Sequence, residues 1–321
     1  MRFALMIEPQ QGLSYLEQLA VARTAEAAGF ETLLRSDHYT SFPGEAGLPT
    51  TDAWTVVAGL ARETERIGLG VLVSPITFRL PGTLAKIVGT ADEMSGGRVQ
   101  VGLGAGWNEQ EHAELGIPFP ALSERFDRLE EALAILHGLW TEPDGWSYAG
   151  RFWQLHGGRL RPAAASGGRQ HPHLILGGSG GPRALRLAAT YADEYDLTSA
   201  DPAAAGDMVA RLDAACAAIG RDPATIVRSA MTGVLIGDSD AEVAERIEAQ
   251  LTMFGIGRDE GAEWLSSRRG RWIIGTLDQA RNAIAAFEAA GVERLVLQTF
   301  LPRDLQMIRQ AGRLIADWSR T

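Results

Sequence analysis

Eight short apolar runs alternate with amphipathic helical patterns along the whole chain, at residues 3–8, 30–35, 67–74, 98–103, 173–177, 194–198, 227–236 and 294–300. Alternation of this kind leaves few solutions, because successive strands must lie parallel and be joined by crossover helices. Several runs are apolar almost throughout, as strands covered on both faces should be. Eight repeats favour closure into a ring. The expected fold class is therefore α/β, one (β/α)8 TIM barrel over residues 1–321, although an open doubly wound sheet reads similarly over its first half.

The helices between the runs carry legible ends. Ser14 with Glu17, Ser239 with Glu242 and Thr276 with Gln279 match the capping box, and Gly29 and Gly291 stand where helices should stop. Phe126, Leu129, Leu133, Leu136 and Trp140 recur at helical spacing and predict one buried stripe. Two segments break the alternation and read as insertions. Residues 142–160 contain WSYAGRFWQL, which predicts a hairpin, and residues 255–271 are polar, tryptophan-bearing and read as irregular.

A chain of 321 residues with 45% apolar content can bury a large core. Its net charge of −10, with no basic face in any segment, argues against a nucleic-acid partner. The lone cysteine, Cys216, excludes an internal disulfide framework or cysteine metal site and suits a reducing cytoplasm. The N-terminal run MRFALMIEPQQG is too short for a signal or a membrane span, so the expectation is a cytoplasmic protein with no membrane partner.

The segment LILGGSGGPRALRLAATYADEYD (residues 174–196) is the sharpest local signal. Gly177, Gly178, Ser179, Gly180 and Gly181 follow an apolar run and let backbone amides converge, while Pro182 suits the first helical turn. The positive end of that helix would hold a phosphate without a lysine. A P-loop needs Gly-Lys-Ser/Thr, and a Rossmann turn needs glycine where Arg183 stands. The alternative for the motif taken alone is a helix cap that binds nothing.

In a barrel, the loops after strands two to five converge on one mouth. They contribute Arg35, Ser36, Asp37 and His38, then Ser74 and Pro75, then residues 104–109, then the glycine cradle. His38 is the candidate proton donor or acceptor, against a structural pairing with Asp37, which reads as a hydrogen-bond acceptor for cofactor or backbone. Trp107 follows Gly102, Gly104 and Gly106, a spacing that lets backbone pass close to a flat ring with the indole over it; otherwise it is a rim aromatic. Glu109, Glu111 and His112 lack the second histidine of a zinc motif, so no metal is expected. No Gly-x-Ser-x-Gly elbow is present, and the single lysine, Lys86, falls in a helix, which sets aside a hydrolase and a Schiff-base aldolase.

The ordered set SDHY, SPITFRLPGTLAKIVGTADEMSGGRVQVGLGAGWNEQEH, ERFDRLEEAL and GGSGGPRALRLAATYADEYD resembles the luciferase-like monooxygenase superfamily, and within it the branch that uses the deazaflavin coenzyme F420. The resemblance implies a bacterial luciferase-like barrel holding F420, or alternatively FMN, with the cofactor phosphate at the Gly177, Gly178, Ser179, Gly180 and Gly181 turn. It also implies a bulge with a non-proline cis peptide at Leu72, Val73 and Ser74, backing the ring. Asp37, Gly106, Trp107 and Asn108 match cofactor-contacting positions, and His38 the histidine beside them. Trp107 stands where sugar-phosphate-oxidising relatives have a catalytic glutamate, which puts that activity in doubt. Asp196 replaces a usual asparagine.

The implied function is hydride transfer between F420 and a small organic substrate (C=C, C=N or carbonyl). An FMN-dependent two-component monooxygenase fed by a separate reductase is the alternative, and a non-catalytic ligand-binding barrel ranks below it. Arg79, Arg183 and Arg186 are candidates for an anionic F420 tail, and a homodimer is the family expectation.

Overall fold

In the computed structural model, which describes residues 1–161 and 166–318, the alternation becomes a closed ring. In chain order the elements are β1 (Arg2–Ile7), α1 (Tyr15–Ala27), β2 (Thr32–Arg35), α2 (Ala53–Glu63), β3 (Gly68–Pro75), α3 (Pro81–Ser95) and β4 (Val99–Gly104). Helices α4 (Glu109–Glu114) and α5 (Leu122–Thr141) lead to a hairpin of β5 (Trp146–Ala149) and β6 (Gln154–Gly158). There follow β7 (His173–Gly178), α6 (Pro182–Tyr191), β8 (Glu194–Leu197), α7 (Pro202–Ala218), β9 (Val227–Gly237), α8 (Asp240–Phe254) and α9 (Arg258–Arg268). The chain finishes with β10 (Ile273–Thr276), α10 (Leu277–Ala289), β11 (Arg294–Thr299) and α11 (Leu305–Trp318).

Eight strands pair parallel in the order β1, β2, β3, β4, β7, β8, β9, β11, and β11 pairs back to β1. This is the (β/α)8 barrel, with each strand within two residues of its expected place at either end. Strand β10 is additional. It lies beside residues 234–237 of β9, whose earlier residues 229–233 pair with β11. The two halves diverge at Gly233, where a Cβ would lie 2.1 Å from the Trp272 indole. The segment 255–271, expected to be irregular, instead forms α9, opened by Gly257 with Asp259 and Glu260 in its first turn, where acids favour helix.

Two of the three capping boxes close as expected, at Ser14/Glu17 and Thr276/Gln279. The third is half formed, because the Glu242 carboxylate accepts the Asp238 amide and not that of Ser239. Leu129, Leu133 and Leu136 are buried, with Phe126 and Trp140 partly so, which gives α5 its inward stripe. On the other side of α5, Trp146 lies on Gly138 and the Glu131 carboxylate accepts the amides of Arg151, Phe152 and Trp153 at 2.7, 3.0 and 3.3 Å. The hairpin thus lies along the outside of that helix.

The ring's interior has two chemically different halves. Ala4, Met6, Leu34, Leu72, Ile175, Met231 and Val296 fill the part beneath the mouth. Towards the strand N-termini, the wholly buried Arg294 donates to Glu194 at 3.0 Å and to Gln100 at 2.9 Å, and Gln100 donates to Thr32 at 3.0 Å. Burial alone would push the Glu194 carboxyl up, but Arg294 and His173 outweigh it and hold it down to about 2. Asp196, also buried, finds no hydrogen-bond partner for either oxygen among the described residues. Its burial and the negative charge of Glu194 push it up to about 7.

Candidate active site

The C-terminal ends of the strands enclose a cavity of about 680 Å³. Three sequence motifs meet in it, each for a steric reason. Between Val71 and Ser74, β3 carries one residue more than β4, a bulge that contains the cis peptide Leu72–Val73. Room for it comes from glycines on both neighbours. A Cβ on Gly102 would lie 2.4 Å from the Val71 carbonyl oxygen, and one on Gly104 or Gly177 would lie 2.7 or 3.0 Å from a Val73 methyl. Gly102 and Gly104 therefore make room for the bulge, where the sequence suggested that they make room for the ring. Leu72, Val73, Leu103 and Leu176 become one apolar wall of the cavity.

Gly177, Gly178, Ser179 and Gly181 line the next stretch of wall, ahead of α6. Gly180 lies outside the lining. Its amide donates to the Tyr195 hydroxyl at 2.9 Å and its carbonyl accepts from Arg211 at 2.6 Å, fixing the turn at a φ of +74° that favours glycine. The amides of Ser179, Gly181, Arg183 and Ala184 have no acceptor among the described residues, and α6 has no side-chain cap. Unused donors at a positive helix end suit a phosphate ester, and Ser179, Gly181 and Ala184, which also line the cavity, fit the phosphate of a flavin or deazaflavin.

His38 lines the cavity with its Nδ1 2.9 Å from the Glu111 carboxylate. Glu111 is buried and also accepts the backbone amides of Tyr39 and Thr40. An ionised carboxylate only accepts, so Nδ1 carries the hydrogen and Nε2 is left as the position for proton exchange. Sequence reasoning passed over Glu111, weighing it only as a metal ligand. The available signal was Asn108 three residues before it: Asn108 caps α4, its side-chain oxygen accepting the Glu111 amide at 3.3 Å, and so sets where that carboxylate begins. Asn108 and Gly106 line the cavity, and Trp107 stands at its rim, 65% exposed, edge-on to His38 and Phe42. Glu8, Ser36 and Gln298 complete the polar side, Glu8 accepting from Gln10 at 2.9 Å and Gln298 at 2.5 Å.

Asp37 and Ser74, expected at the cofactor, lie behind this wall and outside the cavity lining. Ser74 accepts from the Trp54 indole at 2.9 Å and donates to Asp37 at 2.8 Å, while Arg79 grips Asp37 through both guanidinium nitrogens at 2.5 and 3.2 Å. Arg79 also donates to Tyr39 and Asp52 at 2.6 Å each. Burial pushes the Tyr39 phenol up and would do the same to Asp52, but the Thr55 amide, Tyr39 and Arg79 hold Asp52 well below the usual carboxylate range. Neighbouring residues 37 and 38 leave the strand end on opposite sides. Arg79 is thereby neutralised, as are Arg183 by Asp127 and Glu130 and Arg186 by Glu130, so none of the three offers an unpaired charge to an anionic tail. Among the described residues no cluster of histidine, cysteine and acids could hold a metal, and no helix is long and apolar enough to cross a membrane.

The chain is 34% identical over 181 residues to an F420-dependent glucose-6-phosphate dehydrogenase of Intrasporangium calvum, an alignment covering 54% of this chain and about half (51%) of that relative. It is 27% identical over 306 residues to an FMNH2-dependent dimethylsulfone monooxygenase of Pseudomonas putida, covering 88% and 82% of the two chains. Its fold superposes on the solved structure of an F420-dependent secondary alcohol dehydrogenase in complex with an F420-acetone adduct, with a TM-score of 0.83 at 20% identity, over 98% of each chain. The sequence model of the luciferase-like monooxygenase family matches residues 1–294, and the chain belongs to that family.

Proposed function

We propose that this protein is an F420-dependent oxidoreductase that moves a hydride between the deazaflavin and a small organic substrate. The observation that carries the reading is one cavity joining three parts: a cradle of unused amides, an apolar wall built by the β3 bulge, and an imidazole oriented by a buried carboxylate. When bound, the reduced coenzyme supplies the hydride. The chain supplies everything else. Amides of Ser179, Gly181 and Ala184 would hold the phosphate, and Leu72, Val73, Leu103 and Leu176 give the ring a water-poor platform. His38 Nε2 exchanges the proton that accompanies the hydride, with Glu111 stabilising the imidazolium. Trp107, whose indole N–H is no general acid or base near neutral pH, stands where the family resemblance places an acid in sugar-phosphate-oxidising relatives, and this argues against a sugar phosphate as substrate.

The longer alignment to the FMNH2-dependent relative supports a second reading, a two-component monooxygenase fed by a separate reductase. Assembly as a homodimer belongs to either reading and is checked by sedimentation. Parallel titration with F420 and FMN decides between them: F420 is expected to bind the tighter and to raise the melting temperature by several degrees near a hundredfold excess over Kd, from about 2.7 kcal/mol of linkage. A Cβ at Gly181 meets no atom within 4 Å, so Gly181→Leu can place its side chain at the cradle and should abolish that rise. An unchanged titration of Gly181→Leu would refute the cradle.

A further inference from the structure

A second chamber, of about 620 Å³, opens beside the first and shares Thr198, Met231 and Gln298 with it as a common wall. Its other sides are aromatic. Trp272 and Phe300 lie 5.6 Å apart within 5° of parallel, Trp264 stands at 87° to Trp272 at 5.3 Å, and Phe254 meets Phe300 at 5.1 Å. Phe42, from the loop after β2, closes the rim near Trp107. The indole of Trp272 rests on Gly233, so one planar wall is anchored to a barrel strand.

Two arginines, Arg268 and Arg271, enter the same chamber. The Arg268 guanidinium sits over the Trp264 and Trp272 rings at 5.6 and 5.8 Å and reaches the Ser267 hydroxyl at 3.2 Å. Arg271 donates to the carbonyl of Ser199 at 3.1 Å, a residue held in the left-handed region at φ +54°. Neither has a carboxylate within ion-pairing distance among the described residues, although the chain carries a net charge of −10 and ties Arg79, Arg183 and Arg186 to acids. Two guanidinium groups left without a counter-ion beside planar aromatic walls are complementary to a flat anion.

We infer that this chamber is the substrate compartment and that it takes a planar aromatic or conjugated carboxylate. The carboxylate lies between Arg268 and Arg271, the ring lies against Trp272, Trp264 and Phe300, and the reactive end lies at the wall shared with the cofactor cavity. The inference rests on the proposed hydride-transfer reading but is tested apart from it, by binding.

The test titrates the purified full chain, with and without F420, against trans-cinnamate, its methyl ester and glucose 6-phosphate, following tryptophan fluorescence and calorimetry. Cinnamate is expected to quench the fluorescence and to bind at least tenfold more tightly than the ester, with glucose 6-phosphate failing to compete. The double variant R268Q/R271Q should bring cinnamate down to the affinity of the ester while melting normally and leaving F420 binding unchanged. Phe300→Leu, a milder change than any at the anchored Trp272, should weaken acid and ester alike. Equal binding of acid and ester, competition by the sugar phosphate, or wild-type affinity in the double variant would overturn the inference. Failure of F420 to bind, with cinnamate selectivity intact, would sink the coenzyme reading and leave the chamber standing.

Discussion

His38 and Glu111 stand 73 residues apart in the chain and 2.9 Å apart in space, and the proposed function assigns positioning to Glu111 and proton exchange to His38. His38→Ala should lower kcat about 10²- to 10⁴-fold with coenzyme affinity retained, because only proton exchange is removed. Glu111→Gln is expected to cut kcat less, roughly tenfold, with KM for the coenzyme unchanged; a larger effect on KM than on kcat would make Glu111 merely structural. Asp196 gives a prediction about stability. A folded-state pKa of about 7 lies above the ordinary aspartate value, so the unfolded chain releases this proton first as pH rises. The penalty is absent below about pH 4 and grows towards pH 7, reaching at most about 4 kcal/mol. Urea denaturation should therefore find Asp196→Asn more stable than the parent at pH 8 and indistinguishable near pH 4.

Local sequence chemistry predicted the elements well, because caps and apolar runs act locally. Strand positions and two capping boxes follow directly from residues such as Ser14, Glu17, Thr276 and Gln279. Short elements defined by their neighbours did not show: the four residues of β10 form a strand only because β9 outruns the ring. The site was legible where backbone shape decides it, at Gly177, Gly178, Ser179 and Gly181, and at the Leu72–Val73 bulge. It was not legible where side-chain direction decides it, since nothing in the dipeptide Asp37-His38 says which residue faces the mouth. The glycines of β4 offer the element-scale test. Gly102→Ala sets a methyl 2.4 Å from a backbone oxygen that cannot swing aside, and should destabilise the fold by about 1–3 kcal/mol in denaturant titrations. Gly181→Leu, whose Cβ meets no atom within 4 Å, should leave the midpoint unchanged.

Across the whole molecule, stability is distributed unevenly. The eight ring strands pair on both edges, whereas β5 and β6 pair only with each other and rest on one face of α5. Native-state hydrogen exchange should show the ring strands opening together at the global free energy and the hairpin opening separately at a lower one. Protection of β5 equal to that of β1 would contradict this division.

The wall formed by Thr198, Met231 and Gln298 has a kinetic corollary. Because each compartment has its own volume and they meet along a shared boundary, neither occupant must depart before the other arrives. Double-reciprocal plots at several fixed coenzyme concentrations should accordingly intersect, the signature of a ternary complex, and would run parallel only if one ligand had to vacate the space for its successor.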